Sequence, residues 1–164
     1  MSDERLVAAV DRQEIMELRH AYGIATDLIG KGSPDAIEAG RAIYRRIFTA
    51  DAEIGAAGVE SVTGPDAWVD IVLDALEPYN ATQHLIGTQH ISELSRPNAS
   101  GQGGQARMSS YLQAWHSRAD GYLWLFMGTY EDELVWTSAH GWQIRRMMLR
   151  QIAADHRTLG QAPE

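Results

Sequence analysis

Six histidines, six tyrosines and no cysteine define what this chain of 164 residues can do chemically. Without a thiol there is no disulfide, no Cys nucleophile and no thiolate zinc site, so the reactive inventory reduces to imidazole, carboxylate and phenol, groups that move protons. His84 lies in the strand-like stretch Thr82-Gln83-His84-Leu85-Ile86-Gly87. His116 shares the two-residue parity of Met108, Ser110, Leu112 and Ala114, small or apolar side chains that mark the inward face of a strand. Tyr22 lies on an apolar helical stripe with Ile15, Leu18 and Ile29. Asp27 follows Tyr22 by about 140° on a helix of roughly 3.6 residues per turn, so both serve one cavity only with Asp27 at the helix end.

Dehydration or isomerisation beside a carbonyl needs a base that works near neutrality, an acid for the leaving group and a donor for the enolate oxygen. His84 is the best base, because an imidazole changes protonation near neutral pH, and a buried carboxylate beside it would fix its tautomer. The structural readings stand next to this one. A His on an apolar strand face is often a satisfied core residue, Asp27 can simply end a helix, and Tyr22 can be packing. His90 reads as structural: it shares the parity of His84, but Gly87 marks a bulge that would flip it to the other face. His84, His90 and His116 would suit zinc or iron, yet no His-x-His or His-x-x-x-His spacing is present, so no metal is expected. Nor does the chain carry a Gly-rich phosphate loop or a Gly-x-Ser-x-Gly elbow, and no organic cofactor is expected.

The elements that must position these groups change period half-way along. Ile15, Leu18, Tyr22 and Ile29 predict a first helix from about Asp11 to Leu28, with Asp11 and Glu14 as a capping box. A second is predicted from Asp35 to Phe48, and a third begins at Pro65, carries Trp68, Val69, Val72 and Leu76 on its inner stripe, and is stopped by Pro78. Strands are predicted at 84–94, 106–116, 122–136 and 141–148, with Ser95 to Gln105 as a long hairpin loop. Helices first and strands after predict an α+β fold, with a curved antiparallel sheet wrapping the first helix. Along 122–136 Trp124, Phe126 and Tyr130 occupy one parity and Leu123, Leu125 and Met127 the other, so both faces read as buried, one by the helix and one by a second subunit. A homo-oligomer, dimer or trimer, follows. On this strand Asp132 is undecided, because Glu131-Asp132-Glu133 also fits a solvated face.

Composition bounds the rest. Hydrophobic residues make up 45% and charged residues 22%, a globular balance, and the chain reads as one domain over 1–164 with a core from about 10 to 160. A net charge of −8 with scattered arginines argues against nucleic acid, whose binders cluster Lys and Arg against phosphates. The longest apolar run is Tyr122–Met127, far below the roughly 20 residues of a membrane span, and the N-terminal stretch does not read as a secretory signal. A cytoplasmic protein is expected.

Several motifs together are similar to the SnoaL-like branch of the nuclear transport factor 2-like superfamily. They are Asp11-Arg12-Gln13-Glu14-Ile15 with Leu18 and Tyr22, Phe48-Thr49-Ala50-Asp51-Ala52, Thr63-Gly64-Pro65, Thr82-Gln83-His84-Leu85-Ile86-Gly87, Gly128-Thr129-Tyr130-Glu131-Asp132 and Gly141-Trp142-Gln143-Ile144. The resemblance implies a cone-shaped α+β barrel of cystatin-like fold. His84 with His116 resembles the scytalone dehydratase pattern, and Tyr22, Asp27 and His84 resemble that of bile acid dehydratases. A Tyr directly precedes the first-helix Asp in scytalone dehydratase, whereas Thr26 stands here, so one water-holding phenol is missing, and Tyr22 or Tyr44 compensates only if the fold brings it round. On this resemblance the expected function is a cofactor-independent dehydratase or isomerase of a hydrophobic oxygenated cyclic molecule. His84 is base and acid, Asp27 orients it, Tyr22 polarises a substrate oxygen and His116 assists. The alternative is a non-catalytic ligand-binding or assembly module like the small subunit of ring-hydroxylating dioxygenases, since this fold hosts both.

Overall fold

Helix α1 runs over Asp3–Ile29, longer at its N-terminus than the capping box implied. The computed structural model describes residues 3–98 and 100–158, so the expected core boundary near Gly160 lies outside the described residues. Asp11 is not a cap: its carboxylate accepts the indole N–H of Trp142 at 3.1 Å and pairs with Arg96, and the good helix formers before it carry the helix on. Helices α2 (Pro34–Ile47) and α3 (Pro65–Leu76) each start on a proline, whose missing N–H costs nothing in the first turn.

Six strands follow the helices or lie between them: β1 (Phe48–Ala56), β2 (Val59–Thr63), β3 (Ala81–Ser95), β4 (Gln105–Ser117), β5 (Tyr122–Thr137) and β6 (Gly141–Thr158). They form one sheet in the order β2-β1-β6-β5-β4-β3. The β3–β6 meander is antiparallel as expected. The pair β1–β6 is parallel, which corrects the all-antiparallel expectation, and β2 and β3 are free edges, so the curved sheet does not close. A parallel neighbour is possible because β2, α3 and the three strands β3–β5 intervene as the crossover. Gln143 pins this junction, its Nε2 donating to the carbonyls of Arg46 at 3.1 Å and Phe48 at 2.9 Å.

The concave face carries the core. Ile15, Leu18, Tyr22, Ala25 and Ile29 of α1 are buried against Met108, Leu112 and Ala114 of β4, Tyr130 and Leu134 of β5, and Ile144 and Met147 of β6. Even-numbered residues of β5 therefore face inward, which settles the parity left open by the sequence. In β3 the register slips between Gly87 and His90; Ile91 is buried beyond the slip and His90 is exposed. Among the described residues no helix is long and apolar enough to cross a membrane.

Candidate active site

Asp27 sits in the last turn of α1, where the helix ends with Gly30 N–H bonded to the Thr26 carbonyl at 2.9 Å. The side chain turns outward from the stripe to β3 and accepts three hydrogen bonds: from the His84 ring at 2.8 Å, the His84 backbone N–H at 3.1 Å and the Thr82 hydroxyl at 3.0 Å. Close approach of helix and strand makes this reach possible. A Cβ on Gly23 would lie 3.2 Å from the His84 carbonyl, and one on Gly30 would meet the Thr82 hydroxyl at 2.8 Å. The carboxylate can only accept, so Nδ1 of His84 carries the proton and Nε2 presents a basic lone pair.

His84 also lines a cavity of about 140 Å³ inside the cone. Its walls are apolar: Ala56 and Val59 of the β1–β2 hairpin, Ile71, Val72 and Ala75 of α3, Leu112 and Ala114 of β4, Trp124 and Phe126 of β5, and Leu149 of β6. The polar side chains among the lining residues are Tyr22, Thr26, His84, His116 and Tyr130, with the indole of Trp68. Asp27 itself is not on the wall; it stands behind His84. The five-residue offset from Tyr22 thus separates the two around the helix, one lining the cavity and the other backing His84.

His116 is 3% exposed, with its ring 5.5 Å from that of His84 and edge-on to it. Burial and the neighbouring His84 bring its pKa down to about 4, so it is neutral at physiological pH. Its Nδ1 lies 3.4 Å from the Trp124 carbonyl, which only accepts, leaving Nε2 as an acceptor. Burial raises the phenol of Tyr22, with Arg19 and the indole of Trp68 opposing; the group stays protonated and able to donate. The Trp68 indole donates to the Tyr22 hydroxyl at 3.1 Å. Tyr44 is fully buried and committed to Thr26, 2.6 Å away, and does not line the cavity, so of these two tyrosines Tyr22 reaches it, beside the Tyr130 phenol of β5.

One polar pair escaped the sequence reading. Arg19 and Asp132 are buried and joined by two hydrogen bonds, Arg19 Nε to Asp132 Oδ2 at 3.1 Å and a second from the outer guanidinium nitrogen. The guanidinium carbon lies 4.0 Å from the ring centre of Tyr130 and 4.7 Å from that of Tyr22. The signal was present: Arg19 falls on the helical stripe between Ile15 and Tyr22, and Asp132 on the parity of Tyr130 and Leu134. Its neighbour Glu131 is exposed and Glu133 half-buried, both paired with surface arginines.

A family model described as a SnoaL-like domain matches residues 7–148. The chain belongs to the SnoaL-like family. Among solved structures it is similar to hexachlorocyclohexane dehydrochlorinase LinA-type3 from Novosphingobium barchaimii, at 16% identity over 99% of this chain and 100% of that one, with a TM-score of 0.74. A candidate scytalone dehydratase from Novosphingobium aromaticivorans matches at 20% identity over 98% and 94%, TM-score 0.67. An NTF2-like protein with a cystatin-like fold from the same species matches at 19% identity over 91% and 86%, TM-score 0.65. These likenesses establish the α+β, cystatin-like fold. Among curated proteins no sequence matches this SnoaL-like chain.

Proposed function

We propose that this SnoaL-like protein is a cofactor-independent lyase, a dehydratase, or an isomerase acting on a small hydrophobic oxygenated cyclic molecule. The observation that carries the reading is the His84 imidazole, bonded to Asp27 on one nitrogen and lining an apolar cavity. Nε2 of His84 takes a proton from the carbon next to a carbonyl, and Asp27 stabilises the imidazolium. The Tyr22 phenol donates to the developing enolate oxygen. In a dehydration the imidazolium returns the proton to the departing hydroxyl as the C–O bond breaks and water leaves; in an isomerisation it returns it to another ring carbon. His116 assists as a neutral acceptor. The cavity of about 140 Å³ is close to the roughly 150 Å³ that accommodates one benzene, so a single ring is held inside. The names of two structural neighbours, a dehydrochlorinase and a candidate dehydratase, both describe eliminations.

The test is a panel of cyclic ketones and phenols, followed by NMR for exchange of the proton beside the carbonyl with deuterated solvent, and by soaking crystals. Exchange that is lost in His84→Ala and survives exhaustive chelation supports the reading. Ligand binding without exchange in the wild type assigns the protein to the non-catalytic binding modules, and loss on chelation with recovery on adding zinc or iron replaces proton transfer by a metal mechanism.

The same reading extends to assembly. Leu85 and Tyr111, 62% and 57% exposed, lie with half-buried Trp115, Leu125 and Met127 on the outer side of the sheet. We propose that a second copy covers them in a homo-oligomer; a scattering mass of 18.2 kDa at micromolar concentration overturns this. The absence of cysteine favours a cytoplasmic, reducing compartment.

A further inference from the structure

An indole N–H can only donate, so in the 3.1 Å contact between Trp68 and Tyr22 the phenol oxygen is the acceptor. The phenol proton must then point away from the indole. Tyr44, stacked on Tyr22 at 5.3 Å, gives its own proton to Thr26, because the Thr26 hydroxyl already donates to the Tyr22 carbonyl at 2.8 Å. The Tyr130 hydroxyl also bonds to that of Tyr22, and with Tyr130 as the donor of that contact the proton of Tyr22 is left for the cavity both rings line.

The ring itself is held from below by a charge. Arg19 is 0% exposed, touches no cavity space, and lies over both Tyr22 and Tyr130, its plane fixed by the two-point contact with Asp132. An apolar pair of similar volume would hold such a core as well or better, so the ion pair calls for a role besides stability. A cation over a phenol ring draws on its π electrons and strengthens its O–H as a donor. We propose that Trp68 and the Arg19–Asp132 pair are positioning residues that make the Tyr22 phenol the donor to the substrate oxygen. This rests on the ligand and reaction proposed above.

The probe is cyclohexenone with an isotope-labelled carbonyl, whose infrared stretch falls when the oxygen accepts a hydrogen bond. Bound to the wild type, its stretch is expected below the value in an apolar solvent. Tyr22→Phe should return it to that value and weaken binding roughly 3- to 10-fold, the worth of one net hydrogen bond. Trp68→Phe should return part of the shift, and in the Tyr22→Phe background it should change nothing further. The apolar replacement Arg19→Met with Asp132→Leu, chosen because it leaves no charge unpaired, should also lose part of the shift while circular dichroism stays native. Equal effects of Trp68→Phe with and without the Tyr22 hydroxyl mean packing alone and overturn the proposal, as does an unchanged stretch in Tyr22→Phe or in the Arg19/Asp132 double variant. His84→Ala separates this inference from the reaction. A full shift in a wild type that exchanges no proton sinks the reaction and leaves the donor assignment standing, whereas failure of cyclohexenone to bind overturns both.

Discussion

Helix α1 sends two charged side chains to the sheet, and their surroundings give them opposite roles. Arg19 reaches Asp132 in the sealed base of the core, where both side chains are 0% exposed. Asp27 reaches His84 at the helix end, where the carboxylate is 29% exposed and the imidazole borders open space. In the first pair the guanidinium and carboxylate satisfy each other, and exchange with solvent is closed off. In the second the carboxylate is saturated by donors while one imidazole nitrogen keeps a free lone pair. A charged pair becomes reactive when one partner retains an unsatisfied atom next to a cavity; the strength of the ionic contact is secondary.

The comparison is broken most severely by Asp27→Asn. Turnover should fall roughly 10²- to 10⁴-fold through loss of imidazolium stabilisation, with the unfolding midpoint nearly unchanged. Equal activity in the variant refutes the orienting role. Arg19→Met should act the other way round, lowering stability by about 3–5 kcal/mol in urea denaturation because Asp132 is left buried and unpaired. Adding Asp132→Leu should restore most of the loss.

How much of this was legible depends on how local the signal is. The helices α2 and α3, the meander β3–β6 and the residues His84, Asp27, Tyr22 and His116 show in periodicity, proline placement and motif. Strands β1 and β2 do not: Phe48–Ala56 carries a register shift between Phe48 and Glu53 and alternates poorly, and its parallel partner lies nearly a hundred residues on in the chain. Arg19 was passed over because a charged residue on an apolar stripe is ordinarily read as an edge position. Its partner is 113 residues away, and only the sheet register brings them together. Asp11 matched a capping pattern and was overridden by tertiary contacts with Trp142 and Arg96.

Two smaller effects sharpen the contrast. His116 titrates at about 4 in the folded chain against 6.5 for an ordinary imidazole. The unfolded chain binds the proton first, so the stability from keeping His116 neutral is complete above pH 6.5 and is lost as pH falls towards 4, on the order of 3 kcal/mol in all. His116→Gln should flatten that part of the stability-versus-pH curve relative to wild type; parallel curves would contradict it. Asp11→Asn should cost about 1–2 kcal/mol, since the Trp142 indole keeps a partial acceptor and Arg96 can turn to water.

The cavity-lining side chains Val59, Ile71, Ala75 and Leu149 carry no charge, and this governs how a ligand is held. An uncharged ligand finds no ion pair to make there, so its affinity should be nearly blind to ionic strength in spite of the net charge of −8. What selects among molecules is their partition out of water. Across a ligand series, affinity should follow oil-water distribution, and binding should carry a negative heat-capacity change.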